Sequence, residues 1–183
     1  MTKISTQLIQ GANGSDDEKT GAVSAPLYFS TTFRHPGLGQ STGYDYSRLA
    51  TPTRELLESQ LAQSEQGQQA FAVSSGMSAI DLVFSRFLKT GDHFIASDDL
   101  YGGTFRYFDT QKAHHQIDYT TWNGQSCEQF IDLIQSNTKL IWLETPSNPT
   151  MKIIDIQKVA TVIHQQHPEI LIAVDNTFLT PIY

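Results

Sequence analysis

The chain has 183 residues, of which 39% are hydrophobic and 17% charged, and a formal net charge of −7. That is enough apolar chain for a sizeable core and too little charge for a disordered segment, while the acidic balance argues against nucleic-acid or anionic-membrane partners. Cys127 is the only cysteine, which excludes an internal disulfide and a multi-cysteine metal site. The polar stretch from Met1 to Gln10 has no signal-peptide core, and no apolar run approaches the ~20 residues of a membrane span, so a cytoplasmic protein is expected.

Residues 1–51 show no clean periodicity and are rich in Gly, Ser and Thr. They are expected to form an arm without regular structure, and such arms usually serve function or a partner. Within it, Tyr28, Phe29, Phe33, Tyr44 and Tyr46 argue against a mere floppy tail between Pro26 and Arg48. Thr51-Pro52 reads as an N-cap followed by proline at the first helical position. It predicts a helix to about Ser64 with Leu56, Leu57 and Leu61 on its buried side. Gln69 to Val73 reads as a short strand, and Ser74-Ser75-Gly76 turns into a helix bearing Met77, Ile80, Val83, Phe84 and Phe87 at helical spacing.

His93 to Ser97 is the next predicted strand, followed by a loop over 98–103, a helix over 104–115 and a strand over 117–119. Ser126 and Gln129 read as a capping box for a helix to Ile134. Lys139 to Glu144 is a buried strand, Thr145 to Thr150 a loop with two prolines, and Asp155 the cap of a helix carrying Ile156, Val159, Ala160 and Ile163. A final strand runs from Ile170 to Asp175. Strands alternating with helices predict an α/β architecture with a mostly parallel sheet and flanking helices.

Ligands in such sheets bind beyond the carboxyl ends of the strands. Four segments arrive there. Ser75-Gly76-Met77 opens a helix, where free backbone N–H groups form an anion site, or else an ordinary glycine turn with a serine cap. Tyr101 beside Gly102 and Gly103 could stack on a planar ligand, act as an acid/base, or pack as a turn tyrosine. Asn148, between Pro146 and Pro149, offers an amide of limited freedom or serves as a turn residue. Asp175 ends an apolar run, and a carboxylate there needs a cation: a metal, a nucleotide-bound magnesium or a protonated cofactor nitrogen. The sequence lacks the G-x-x-x-x-G-K-[ST] phosphate loop, and its six histidines form no zinc-binding pattern. No metal residues are therefore assigned.

Taken in order, Y-S-R at 46–48, T-P-T at 51–53, S-S-G-M at 74–77, D-L-Y-G-G-T at 99–104, E-T-P-S-N-P at 144–149 and V-D-N-T-F at 174–178 resemble one family over residues 20–183. It comprises the pyridoxal-phosphate enzymes of cysteine and methionine metabolism: cystathionine γ-synthase, cystathionine β- and γ-lyases, methionine γ-lyase and the homoserine-ester sulfhydrylases. The resemblance implies the aspartate aminotransferase-like fold type I, with 1–51 as an arm to a dimer partner and 52–183 as part of the large, cofactor-binding domain. It implies pyridoxal 5'-phosphate as cofactor, held by Ser75, Gly76 and Met77 at the phosphate, Tyr101 on the ring, Asn148 near the ring hydroxyl and Asp175 at the ring nitrogen. Thr177 is implied beside that site. Tyr46 and Arg48 would reach the phosphate of a neighbouring subunit in a homodimer or homotetramer, and Tyr101 would be the catalytic acid/base.

Implied substrates are small amino acids: a homoserine ester, cysteine or cystathionine. The arm from Tyr44 to Thr53 favours γ-replacement of the cystathionine γ-synthase or O-acyl-homoserine sulfhydrylase type over the lyases, and Gly103 stands where methionine γ-lyases carry cysteine. The Schiff-base lysine of the family lies in an S-x-T-K segment after the V-D-N-T-F strand. None of Lys3, Lys19, Lys89, Lys112, Lys139, Lys152 and Lys158 follows that motif. The chain is thus expected to be an N-terminal portion, inactive alone, and a purely non-catalytic assembly role is the alternative of another class.

Overall fold

The structure, a computed structural model, describes residues 3–10, 18–124 and 126–182. The chain divides into an N-terminal unit up to residue 72 and a C-terminal unit over 73–181.

In the N-terminal unit, α1 (Ile4–Gln10) packs on α2 (Pro52–Ser64). The hydroxyl of Thr51 accepts from the Arg54 N–H at 3.1 Å, so the cap and the proline at the first helical position act as the sequence predicts. Two expectations change. The arm contains a helix, α1, which at seven residues is too short to persist on propensity alone; the Gln60 amide holds it by donating to the Leu8 carbonyl at 2.8 Å. Leu57 and Leu61 are exposed rather than buried. Between the helices, an antiparallel bridge joins Thr32 to Tyr46, and the Phe33 N–H donates to the Asp45 carbonyl at 3.1 Å.

The C-terminal unit is built on four parallel strands, β1 (His93–Ser97), β2 (Asp118–Trp122), β3 (Thr138–Glu144) and β4 (Leu171–Asp175), in spatial order β2-β1-β3-β4. Its helices are α3 (Gly76–Phe87), α4 (Gly102–His115), α5 (Gln129–Leu133) and α6 (Ile156–Gln166). Alternation along the strands sorts the core into two layers. Phe94, Ala96, Leu140 and Trp142 face Ile80, Phe84 and Phe108 of α3 and α4. Ile95, Ile141 and Leu143 face Phe130, Val159 and Ile163 of α5 and α6. Phe84 centres the first layer, with its ring 4.9 Å from those of Phe94 and Phe108.

Several predicted boundaries shift. Residues 69–73 form no strand; Phe71 is 64% exposed and the Ala72 N–H donates to the Glu58 carboxylate. The strand expected at 117–119 runs on to Trp122, because it pairs along β1 from His93↔Asp118 to Ser97↔Trp122. Helix α4 starts two residues early, at Gly102. The expected capping box does not form: Ser126 Oγ bonds the Glu128 carboxylate, and Glu128 precedes α5 without a side-chain cap. Phe87 is exposed. Asp155 does cap α6, accepting from the Lys158 N–H at 2.9 Å. No helix among the described residues is long and apolar enough to cross a membrane.

Candidate active site

The chain leaves β1 through α4 towards β2, on one face of the sheet, and leaves β3 through α6 towards β4, on the other. The loops after β1 and β3 therefore part in opposite directions. Such a switch point opens a crevice beyond the strand ends. A cavity of about 270 Å³ lies there, lined by Gly76, Met77, Ile80, Tyr101, Glu144, Pro146, Asn148, Asp175, Thr177 and Phe178. All four sequence segments singled out above meet at it.

Gly76 and Met77 occupy the first two positions of α3. Ser75 caps the helix, its Oγ accepting from the Ser78 N–H at 3.1 Å, and the Ala79 N–H returns to the Ser75 carbonyl. The N–H groups of Gly76 and Met77 have no acceptor within the helix, so they and the helix dipole offer a positive terminus to an anion. A Cβ at Gly76 would meet nothing within 4 Å, which leaves open space for a ligand against the backbone.

Tyr101 immediately precedes α4, and half of its side chain is exposed. Its ring folds back over Gly103, where an added Cβ would sit 2.4 Å from Tyr101 Cε1 and 3.1 Å from Met77 Sδ. Glycine at 103 is therefore a packing requirement of this ring position, and sequence spacing alone did not show it.

Glu144 is the residue that sequence reasoning passed over. Trp142 and Glu144 are two apart on β3, so Glu144 shares the α3–α4 face, and it is 4% exposed. Both of its oxygens accept from the Tyr101 N–H at 3.0 Å, and Oε1 accepts from the Asn148 N–H at 2.9 Å. Burial pushes its carboxyl above the usual range despite those bonds, and the charges of Asp175 and Asp99 push the same way. The sign it leaves in the sequence is an acid at the end of the buried strand Lys139 to Glu144.

Asp175 is register partner of Glu144. It is half-buried rather than fully desolvated, since β4 is an outer strand of the sheet. Its Oδ1 accepts from the Thr177 N–H at 3.1 Å and the Thr177 hydroxyl at 2.5 Å, which fixes the carboxylate at the cavity wall. Neighbouring loops are tied similarly: Asp99 accepts from the Ser147 hydroxyl and from both the N–H and the hydroxyl of Thr150, while Lys152 pairs with Asp98 at 2.9 Å. The peptide bonds before Pro146 and Pro149 are cis.

Tyr46 and Arg48 lie in the N-terminal unit. The Arg48 guanidinium sits 5.1 Å over the Tyr46 ring, and among the described residues it forms no ion pair. Among the described residues no lysine lines the cavity.

Together the lining offers an anion-binding helix terminus, an aromatic ring, an apolar wall of Ile80, Pro146 and Phe178, and a carboxylate opposite. That set suits a planar ligand bearing a phosphate at one end and a protonated nitrogen at the other.

The family model of "Cys/Met metabolism PLP-dependent enzyme" matches residues 5–183. The chain is 43% identical over 181 residues to a cystathionine gamma-synthase/O-acetylhomoserine (thiol)-lyase of Bacillus subtilis, covering 98% of this chain and 47% of that protein. It is 42% identical to a cystathionine beta-lyase of Lactococcus lactis, covering 99% of this chain and 47% of that protein. The crystal structure of cystathionine gamma-lyase from Lactobacillus plantarum complexed with L-serine superposes with a TM-score of 0.89 at 41% identity, over 98% of this chain and 46% of that one. The chain spans about half the length of the curated relatives it matches.

Proposed function

The chain belongs to the Cys/Met-metabolism pyridoxal-phosphate-dependent enzymes, and from that premise we propose that it supplies the cofactor-holding part of an enzyme of C–S bond chemistry. The convergence of the α3 terminus, Tyr101, Asn148 and Asp175 on one cavity carries this reading. In the proposed arrangement, the Gly76 and Met77 N–H groups hold the phosphate beside the Ser75 cap, and Tyr101 covers the ring. Asn148 would serve the ring hydroxyl. Asp175, steadied by Thr177, keeps the ring nitrogen protonated. Tyr46 and Arg48, on the arm over residues 1–51, grip the phosphate in a second copy of the chain; a guanidinium suits that task because it binds phosphate bidentately.

The cofactor, when bound, supplies an electron sink for the pair released at the substrate Cα, so that groups at Cβ or Cγ can leave or be replaced. The chain's own residues orient and hold protons around that chemistry, with Tyr101 moving a proton near the substrate amine. We assign γ-replacement on a homoserine ester, of the cystathionine γ-synthase or O-acyl-homoserine sulfhydrylase type. Lyase action on cystathionine is the second reading, since a beta-lyase matches almost as closely as the γ-synthase.

Intact mass and the visible spectrum with added pyridoxal phosphate test the assignment. A borohydride-sensitive band, with the modified lysine mapped by mass spectrometry, is expected from the full-length protein. Asp175→Asn should lower turnover by several orders of magnitude, because the ring nitrogen loses its counter-charge; near-normal turnover refutes the role given to Asp175.

A further inference from the structure

Two loops that diverge from the switch point must nevertheless present Tyr101 and Asn148 at a fixed spacing across the cavity. The structure shows what couples them. Backbone N–H groups of Tyr101, after β1, and Asn148, after β3, converge on one buried carboxylate. The residue carrying it is tethered to β1 as well, since the Glu144 N–H donates to Ser97 Oγ at 3.1 Å. Among the described residues no ion pair involves Glu144. A buried carboxylate without a cation is costly unless hydrogen bonds compensate it, and here all the compensation comes from the two loops that carry cavity residues.

We propose that Glu144 is a positioning residue: it acts as a clasp that sets the Tyr101 ring and the Asn148 amide relative to Asp175, and it adds its negative charge beside Asp175. The inference rests on the cofactor reading above. A carboxylate suits the clasp because both oxygens accept and neither atom donates. Glutamine keeps the size but puts an NH2 group in one of the two oxygen positions; the Tyr101 N–H faces both positions, so in either orientation this donor meets an NH2 group and its loop is loosened. The charged groups facing Glu144 are Asp175 on β4 and Asp99 in the loop after β1. Lys152 is engaged with Asp98.

The test uses the full-length protein with Glu144→Gln, Glu144→Asp and, as a control on the reading itself, Asp175→Asn. Pyridoxal phosphate is titrated into the cofactor-free forms, and the pH dependence of the visible band is followed in the loaded ones. Glu144→Gln is expected to weaken affinity on the order of tenfold, the effect of losing a charge-assisted hydrogen bond, and to lower kcat more than it raises KM. It should also move the pH of the spectral transition towards acid by roughly half a unit, because a neighbouring negative charge is gone; a purely structural role would leave that pH in place. Glu144→Asp, too short to reach both loops, should show the same changes and provides the answer if the glutamine variant does not fold. Wild-type affinity and spectrum in a folded Glu144 variant, with Asp175→Asn impaired, overturn the clasp and leave the cofactor reading standing. Unchanged binding and spectrum in Asp175→Asn overturn the cofactor reading and the clasp with it.

Discussion

Glu144 and Asp175 stand side by side at the carboxyl ends of β3 and β4, paired in register on the same face of the sheet, yet they are held differently. Glu144 is buried and closed off by backbone N–H donors, whereas Asp175 is half-exposed and, among the described residues, braced by Thr177 alone. The first fixes geometry and the second remains available to a cation entering the cavity.

The raised Glu144 carboxyl has a consequence for stability. The folded state binds this proton more tightly than the unfolded chain, whose group keeps the ordinary value of 4.5. Between that value and the higher folded one, the folded state holds more protons, so stability falls as pH rises through this window. Urea midpoints measured across it should decline more steeply with pH in the wild type than in Glu144→Gln. Parallel curves would show that Glu144 titrates normally.

His93 predicts the opposite slope. Its ring is 1% exposed between the Thr138 hydroxyl at 2.8 Å and the Thr120 hydroxyl at 3.0 Å, and burial pushes its pKa below the ordinary 6.5. Asp118 opposes that shift and Lys112 adds to it. The unfolded chain therefore takes up the proton first on acidification. The contribution of this group is intact above pH 6.5 and is lost as pH falls towards the depressed folded value. Replacing His93 by glutamine should remove the component of acid sensitivity just below pH 6.5, as followed by thermal unfolding against pH. An unchanged acid limb would refute the assignment.

Gly103→Ala separates stability from site geometry. Alanine in the first turn of α4 gains up to about 1 kcal/mol in helix propensity, while pushing the Tyr101 ring off its present position costs about 0.5–1.5 kcal/mol. The two nearly cancel, so the melting temperature should move little. Affinity for pyridoxal phosphate should nonetheless fall several-fold, because the displaced ring no longer covers the cavity as it does now. A variant that binds normally would show that the ring adjusts without consequence.

Phe84→Ala is the core control. Phe84 is 1% exposed and its ring contacts those of Phe94, Tyr107, Phe108 and Trp142. Truncation should cost about 3–5 kcal/mol, the usual range for a buried phenylalanine. Chemical denaturation reads this directly; a loss below about 1 kcal/mol would mean that the layer between the sheet, α3 and α4 collapses into the space.

Two kinds of element are legible in the sequence: His93–Ser97, a short run buried on both faces, and the helices whose caps at Thr51 and Asp155 appear where expected, while Ser75 takes the cap that was one of its two readings. Residues 69–73 looked like a strand by composition, but a strand exists only when paired, and composition does not name a partner. α1 was invisible for the converse reason: its helicity rests on contact with α2, not on its own residues. At the site, the ordered motifs pointed to Gly76, Met77, Tyr101, Asn148, Asp175 and Thr177, which the structure does bring around one cavity. The clasp at Glu144 was missed because its partners are main-chain N–H groups, which no side-chain pattern encodes.

The switch point between β1 and β3 also sets an order of assembly. His93 pairs with Thr138, 45 positions later in the chain, and Leu140 pairs with Leu171 only after a further excursion through α6. The cavity walls thus come from segments joined by non-local pairings, for which loop closure must precede the reward of pairing. α3 and α4 can take shape early without any binding capacity. The appearance of cofactor affinity during refolding should accordingly be among the last events, which makes ligand binding a clock for completion of the sheet.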